Sequence, residues 1–143
     1  RSIAPLLKEA LERWLPQVTR GRYVDARVDP ETLRVTVRGP GSPWRDARLL
    51  SHGTAEQIYL LLRVAMPEYL TTPGEMAPLV LDDVTVQADV DRQEAILQVL
   101  KAISGERQVI LFSQERDAYE WATQNLLEPQ DRVICLRPDT VPA

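Results

Sequence analysis

The sequence predicts an α/β domain: a parallel sheet flanked by helices, preceded by a helix and a β-hairpin. Three observations carry this. First, apolar strand-like runs at Leu79–Asp82, Gln108–Phe112 and Arg132–Leu136 alternate with helical patterns at Asp89–Ser104 and Glu115–Leu127. Apolar strands in that order imply parallel pairing, with the helices as crossovers. Second, residues 23–38 alternate with period two on either side of a turn, which is a hairpin pattern. Third, 143 residues at 44% hydrophobic content are one domain's worth and suit a globular core.

Taken in order, Ser2–Leu15 reads as a helix because Ile3, Leu6, Leu7, Ala10, Leu11 and Trp14 share a face at helical spacing. Pro5 is tolerated in a first turn, and Pro16 is expected to stop the helix. Tyr23–Val28 and Leu33–Arg38 read as strands. Val24, Ala26 and Val28 line one face of the first, Leu33, Val35 and Val37 one face of the second, and Asp29-Pro30-Glu31-Thr32 is the turn. The outer face presents Arg27, Arg34 and Arg38, with Asp25 among them. It is either a solvated strand face or a DNA contact surface, since arginines on a sheet can track a phosphate backbone. Gly39–Pro43 breaks the pattern, and Trp44–Leu49 leads into the next loop.

That loop, Leu50-Ser51-His52-Gly53-Thr54-Ala55-Glu56-Gln57, turns into a helix over Thr54–Met66, which ends by Pro67. Ser51, Gly53 and Thr54 are residue types that cap a helix start; Ile58, Leu61, Leu62 and Ala65 share its apolar face. The small polar start leaves backbone N–H groups outward where the dipole favours an anion, a property of any helix start. About 25 residues on, after a loop at 71–75, the strand ends in Asp82-Asp83. Carboxylates delivered by a strand end are either a turn or a magnesium site beside phosphate. The helix Asp89–Ser104 turns Val90, Ala95, Ile96, Val99, Leu100 and Ile103 inward and is ended by Gly105. The helix Glu115–Leu127 carries Ala118, Tyr119, Ala122 and Leu126.

Composition excludes several classes. No apolar run approaches the roughly 20 residues that span a bilayer, and no signal-peptide pattern opens the chain, so no membrane partner is expected. The single cysteine, Cys135, forms no internal disulfide and fits a reducing, cytoplasmic compartment. The net charge is −4, split as +4 over residues 1–50 and −8 over 51–143. An acidic chain is a poor non-specific polyanion binder, although its basic first third can form a local patch. The chain has no initiating Met and opens mid-helix, which reads as a piece of something longer.

The loop at 51–54 followed by the acid-ended strand resembles the C-terminal half of an ATP-binding-cassette (ABC) ATPase head. It is most similar to the SMC-like branch of DNA-repair ATPases, with RecF, RecN and the YhaN-like proteins. The resemblance covers nearly the whole chain: an arm-root helix at 1–16, a hairpin region at 22–49, and a signature, Walker B and switch-strand region at 50–137. Under it the first helix is the root of a coiled-coil arm; read from the residues alone it is equally an ordinary surface helix. The resemblance implies that Ser51, His52, Gly53 and Thr54 form the signature loop that binds ATP. His52 stands where Gly or Arg is common, and Thr54 stands in the Gln slot, like the Gly-Thr-x-Glu-Gln of YhaN-like proteins. It implies Asp82 as the Mg²⁺-linked acid, Asp83 in place of the catalytic Glu, and Gln87-Ala88-Asp89 as the loop that crosses to a partner subunit.

The sequence departs from the family at three points. The strand at Val109–Phe112 should lead to a switch histidine, but Ser113, Gln114 and Glu115 follow, and His52 is the chain's sole histidine. Gln114 can hydrogen-bond a phosphate, whereas Glu115 repels one unless protonated. Asp83 is a methylene shorter than Glu. No Gly-x-x-x-x-Gly-Lys-Ser/Thr loop occurs, and Lys8 and Lys101 are the sole lysines. The implied partners are therefore the N-terminal phosphate-loop half of the same head, a second head in a head-to-head dimer, and DNA. The implied cofactors are ATP and Mg²⁺, with hydrolysis expected only once the phosphate-loop half is joined. The expected role is that of an SMC-like ATPase acting in DNA repair, processing or defence. The alternative is a hydrolysis-deficient head that serves for dimerisation or partner docking.

Overall fold

The computed structural model describes residues 3–65, 77–82 and 89–136. The expectations for Met66, the loop at 71–75, Asp83, Gln87 and Ala88 fall outside the described residues. The elements are α1 (Ala4–Val18), β1 (Asp25–Val28), β2 (Val35–Arg38), β3 (Arg45–Asp46), α2 (His52–Ala65), β4 (Leu79–Asp82), α3 (Val90–Ile103), β5 (Val109–Phe112) and α4 (Arg116–Asn125). The architecture is mixed α/β, as expected, with one antiparallel and one parallel sheet.

Pro16 does not stop α1, which runs to Val18. The reason is burial: Leu7, Leu11 and Leu15 are fully enclosed and Val18 nearly so. Burying a valine contributes about 1.5–3 kcal/mol, and one missing N–H in a last turn costs less than the roughly 3 kcal/mol of a mid-helix proline. Thr19 Oγ1 then closes the end by donating to the Leu15 carbonyl at 2.7 Å, and Gly21, at φ 79°, donates its N–H to the Pro16 carbonyl at 2.7 Å. The buried stripe is therefore Ala4, Leu7, Leu11, Leu15 and Val18, while Leu6 is exposed.

The hairpin forms with Val28 opposite Val35 and Asp25 opposite Arg38. Its turn is longer than expected. Asp29 Oδ1 accepts from the N–H groups of Glu31 and Thr32, both at 2.8 Å, and Leu33 sits in the turn at φ 57° rather than in the strand. A third strand, β3, pairs antiparallel with β2 where the sequence suggests a connection; two residues carry no readable period. Ala26, Val35 and Val37 are fully buried on one face of the sheet, whose first strand packs on α1. In turn α1 packs on α2 and α3, and Ile58, Leu61, Ile96, Val99 and Leu100 complete the core with Leu79 and Leu81.

The parallel sheet pairs Leu79 with Val109 and Asp82 with Phe112. One face is covered and the other is bare: Leu79 and Leu81 are buried, but Val80 is 58% and Phe112 50% exposed. Among the described residues no third strand joins it. Residues 131–136 are irregular, with Ile134 72% exposed and Cys135 exposed. The apolar run there joins neither sheet among the described residues. Val90, expected inward, is exposed because it opens the first turn of α3. In α4 only Ala118 of the expected stripe is buried, and Tyr119 is exposed.

Arg107 fixes where β4 begins. Its guanidinium is buried, with Nη1 donating to the Val64 carbonyl at 3.5 Å and Nη2 to the Ala77 carbonyl at 2.9 Å. One side chain thus ties the end of α2 to the start of β4, and its charge suits the negative end of a helix. Among the described residues, no helix is long and apolar enough to cross a membrane.

Candidate functional site

Ser51 is the N-cap of α2. Its Oγ donates to Thr54 Oγ1 at 2.8 Å and accepts from the Thr54 N–H at 3.4 Å, while the Ala55 N–H donates to the Ser51 carbonyl at 2.9 Å. The helix begins at His52, two residues earlier than the sequence suggests. The His52 and Gly53 N–H groups, which have no partner among the described residues, are left for water or an anion, as at any helix start. The His52 imidazole is turned along the helix to Glu56, with Nε2 3.0 Å from Oε1 and both side chains exposed.

Asp89 is the N-cap of α3 and accepts from the Arg92 N–H at 2.9 Å. From one turn into α3, the Arg92 side chain reaches the loop: Nη2 lies 3.5 Å from Ser51 Oγ and 3.5 Å from Thr54 Oγ1, and Nε lies 3.7 Å from Asp89 Oδ2. Ser51, Gly53, Thr54 and Asp89 are therefore one cluster, joined by a residue that sequence reasoning missed. A signal existed: Arg three places after a helix-capping Asp is a plausible i,i+3 partner, but nothing local tells where its far end goes.

A second group sits at the C-terminal edge of the parallel sheet. Asp82 is exposed and pairs with Phe112, so Ser113, Gln114 and Glu115 leave the sheet at the same edge. Gln114 is exposed, and the Glu115 N–H donates to Ser113 Oγ at 3.0 Å as the chain enters α4. Asp83, next to Asp82, lies outside the described residues. Among the described residues no hydrogen bond or ion pair joins this edge to the loop cluster, and no three His, Cys, Asp or Glu residues gather as a metal site. A lone exposed carboxylate still fits Mg²⁺, which takes one or two carboxylates together with phosphate oxygens. The loop's N–H, hydroxyl and guanidinium groups are all donors, the chemistry a phosphate accepts.

The arginines of the hairpin are engaged within their own sheet. The Arg27 and Arg38 guanidinium carbons lie 3.9 and 4.6 Å from the Trp44 ring centroid, Arg38 Nε is 2.8 Å from Asp25 Oδ2, and Arg34 Nε is 3.9 Å from Asp46 Oδ2. Asp46 is held below the usual carboxylate range, chiefly by the side-chain hydrogen bond from Arg48.

No protein-family model matches this chain, and no curated protein matches it. Solved structures do. A structure of an SMC ATPase, from work on ATP-driven dimerisation and DNA-stimulated activation, matches with TM-score 0.63 at 15% identity, over 78% of this chain and 69% of that one. The SMC head domain from Thermotoga maritima matches with TM-score 0.64 at 24% identity, over 80% of this chain and 39% of that one. The Smc head domain of Pyrococcus furiosus, bound to the C-terminal domain of ScpA, matches with TM-score 0.59 at 16% identity, over 80% of this chain and 29% of that one. The likeness is one of fold: over about four fifths of its length the chain has the fold of part of an SMC head, and it spans well under half of the two head domains.

Proposed function

We propose that this chain is the C-terminal lobe of an SMC-like ATPase head, completed by a phosphate-loop half, that dimerises around ATP. One observation carries the reading. The parallel sheet is bare on an apolar face beside Asp82, and parallel sheets are stable with both faces covered. A phosphate-loop half would cover Val80, Ile110 and Phe112 and bring a nucleotide to the edge where Asp82, Gln114 and Glu115 stand. Asp82 would hold Mg²⁺, whose charge offsets that of the phosphates. Asp83 would orient or deprotonate the attacking water. Ser51, Gly53 and Thr54, with the positive end of α2, would close over the phosphates held by a second head. DNA belongs to the proposal as a partner of the head; on the hairpin, Arg27, Arg34 and Arg38 would meet it in competition with their partners in the sheet.

Ser51→Arg tests the reading in the complete head. The variant should bind nucleotide, because its own phosphate loop is untouched, and should fail to dimerise with a non-hydrolysable ATP analogue in light scattering. Dimerisation like wild type would refute it. A second reading, a head that dimerises without hydrolysis, is favoured by Gln114 and Glu115 standing where a histidine belongs. Measured turnover in the complete head, with and without DNA, decides between the two.

A further inference from the structure

Gly53 and Arg92 fit each other. A Cβ built on Gly53 would lie 1.6 Å from Arg92 Nη1 and 2.8 Å from Cζ. The guanidinium therefore occupies the space that any other residue at position 53 would fill. The same group reaches Ser51 Oγ and Thr54 Oγ1, and its Nε faces Asp89. Gly53 has ordinary helical backbone as part of α2, so no left-handed conformation explains the glycine. The placement also runs against electrostatics. A cation beside a helix N-terminus is unfavourable, and the compensating carboxylate of Asp89 is 3.7 Å away and largely exposed.

We infer that Arg92 is a positioning residue: seated over Gly53, it locks the Ser51–Thr54 loop to the Asp89 end of α3 so that both present to a partner as one rigid unit. Glycine at position 53 is required to seat Arg92, before any nucleotide arrives. This rests on the loop's function proposed above, but the lock itself is a property of this chain and is testable without nucleotide.

Two experiments decide it. In this chain, Arg92→Gln should speed amide hydrogen exchange at Thr54 and Ala55, whose N–H groups donate to the Ser51 hydroxyl and carbonyl, by about tenfold, the scale of losing a hydrogen bond to a charged group. Gly53→Ala should do the same by displacing the guanidinium, and the double variant should exchange no faster than either single one. Unchanged exchange in Arg92→Gln, or multiplying effects in the double variant, would overturn the lock. In the complete head, Arg92→Gln should weaken nucleotide-driven dimerisation about tenfold while leaving each head's own nucleotide affinity unchanged, a split that general destabilisation would not produce. Ser51→Arg serves as the control. If it dimerises normally, the loop's proposed role fails and the exchange data alone judge the lock. If it fails to dimerise while Arg92→Gln dimerises like wild type, the lock does not serve assembly and the inference falls.

Discussion

The two sheets of this molecule treat their outer faces in opposite ways. The antiparallel sheet buries Ala26, Val35 and Val37 in the core and finishes its other face with its own groups, Trp44 under two guanidiniums and arginines beside Asp25 and Asp46. The parallel sheet buries Leu79 and Leu81 and leaves Val80, Ile110 and Phe112 bare. The first is complete as it stands. The second has the composition of a sheet covered on both faces and the environment of one covered on a single face. The proposed covering of this face by the rest of a head rests on that mismatch, and Asp82 and Gln114 lie at the rim of that same sheet.

The sharpest way to break the comparison is to put a carboxylate into each sheet. Val37→Asp buries an unpaired charge at a fully enclosed position, and the chain should lose about 4 kcal/mol or more of stability, or fail to fold. Val80→Asp places the same group on the bare face, where a surface change should fall within about 0.5 kcal/mol of wild type. Urea unfolding of both variants checks this. An equally large loss at Val80 would mean that this face is already packed within the chain.

How much of this was legible beforehand follows from range. The locations of α2 and α3 could be read from apolar period and those of β4 and β5 from apolar runs, both local properties. The end of α1 could not, since Val18 is paid for by partners on α2 and α3, not by anything near Pro16. The apolar run at Arg132–Leu136 reads as a strand by the same local signal, yet it is irregular, since pairing is not a local property. In the site, Ser51 was readable as a helix cap and Asp89 as the start of a helix, whereas Arg92 and Arg107 act at the tips of long side chains across 41 and 43 residues of sequence. Only the fold brings those tips to their targets.

A smaller effect sharpens the complete side of the comparison. Trp44→Ala removes the ring that Arg27 and Arg38 stack on. Each exposed cation–π contact is worth about 0.5–1 kcal/mol, so the variant should lose about 1–2 kcal/mol in urea unfolding. The Arg27→Ala and Trp44→Ala changes should be less than additive, since both delete the same contact. Full additivity would show that the sheet's outer face is merely solvated.

The smallest effect lies at the ends of that sheet and is read with pH. Asp29 closes the hairpin turn, and the backbone N–H groups of Thr32 and then Glu31 hold its carboxyl below 3.8. Asp46, on β3, is lowered by the Arg48 side chain and then by the Arg48 N–H. Both shifts favour the charged form in the folded state. Their contribution is therefore fully present above the unfolded value of about 3.9 and is lost as pH falls through the depressed folded values. Asp29 is exposed, and the half-buried Asp46 pairs with an exposed Arg48, so solvent screens the gain and the loss in stability is slight. Carbon-detected NMR titration of the two carboxyl groups should give midpoints below 3.8. Asn at position 46 should abolish the second shift's share of the acid-limb slope while leaving stability at pH 7 little changed. An Asp46 midpoint at or above 3.8 would mean that the Arg48 pairing does not persist in solution and that the sheet's charged face is less self-complete than its geometry indicates.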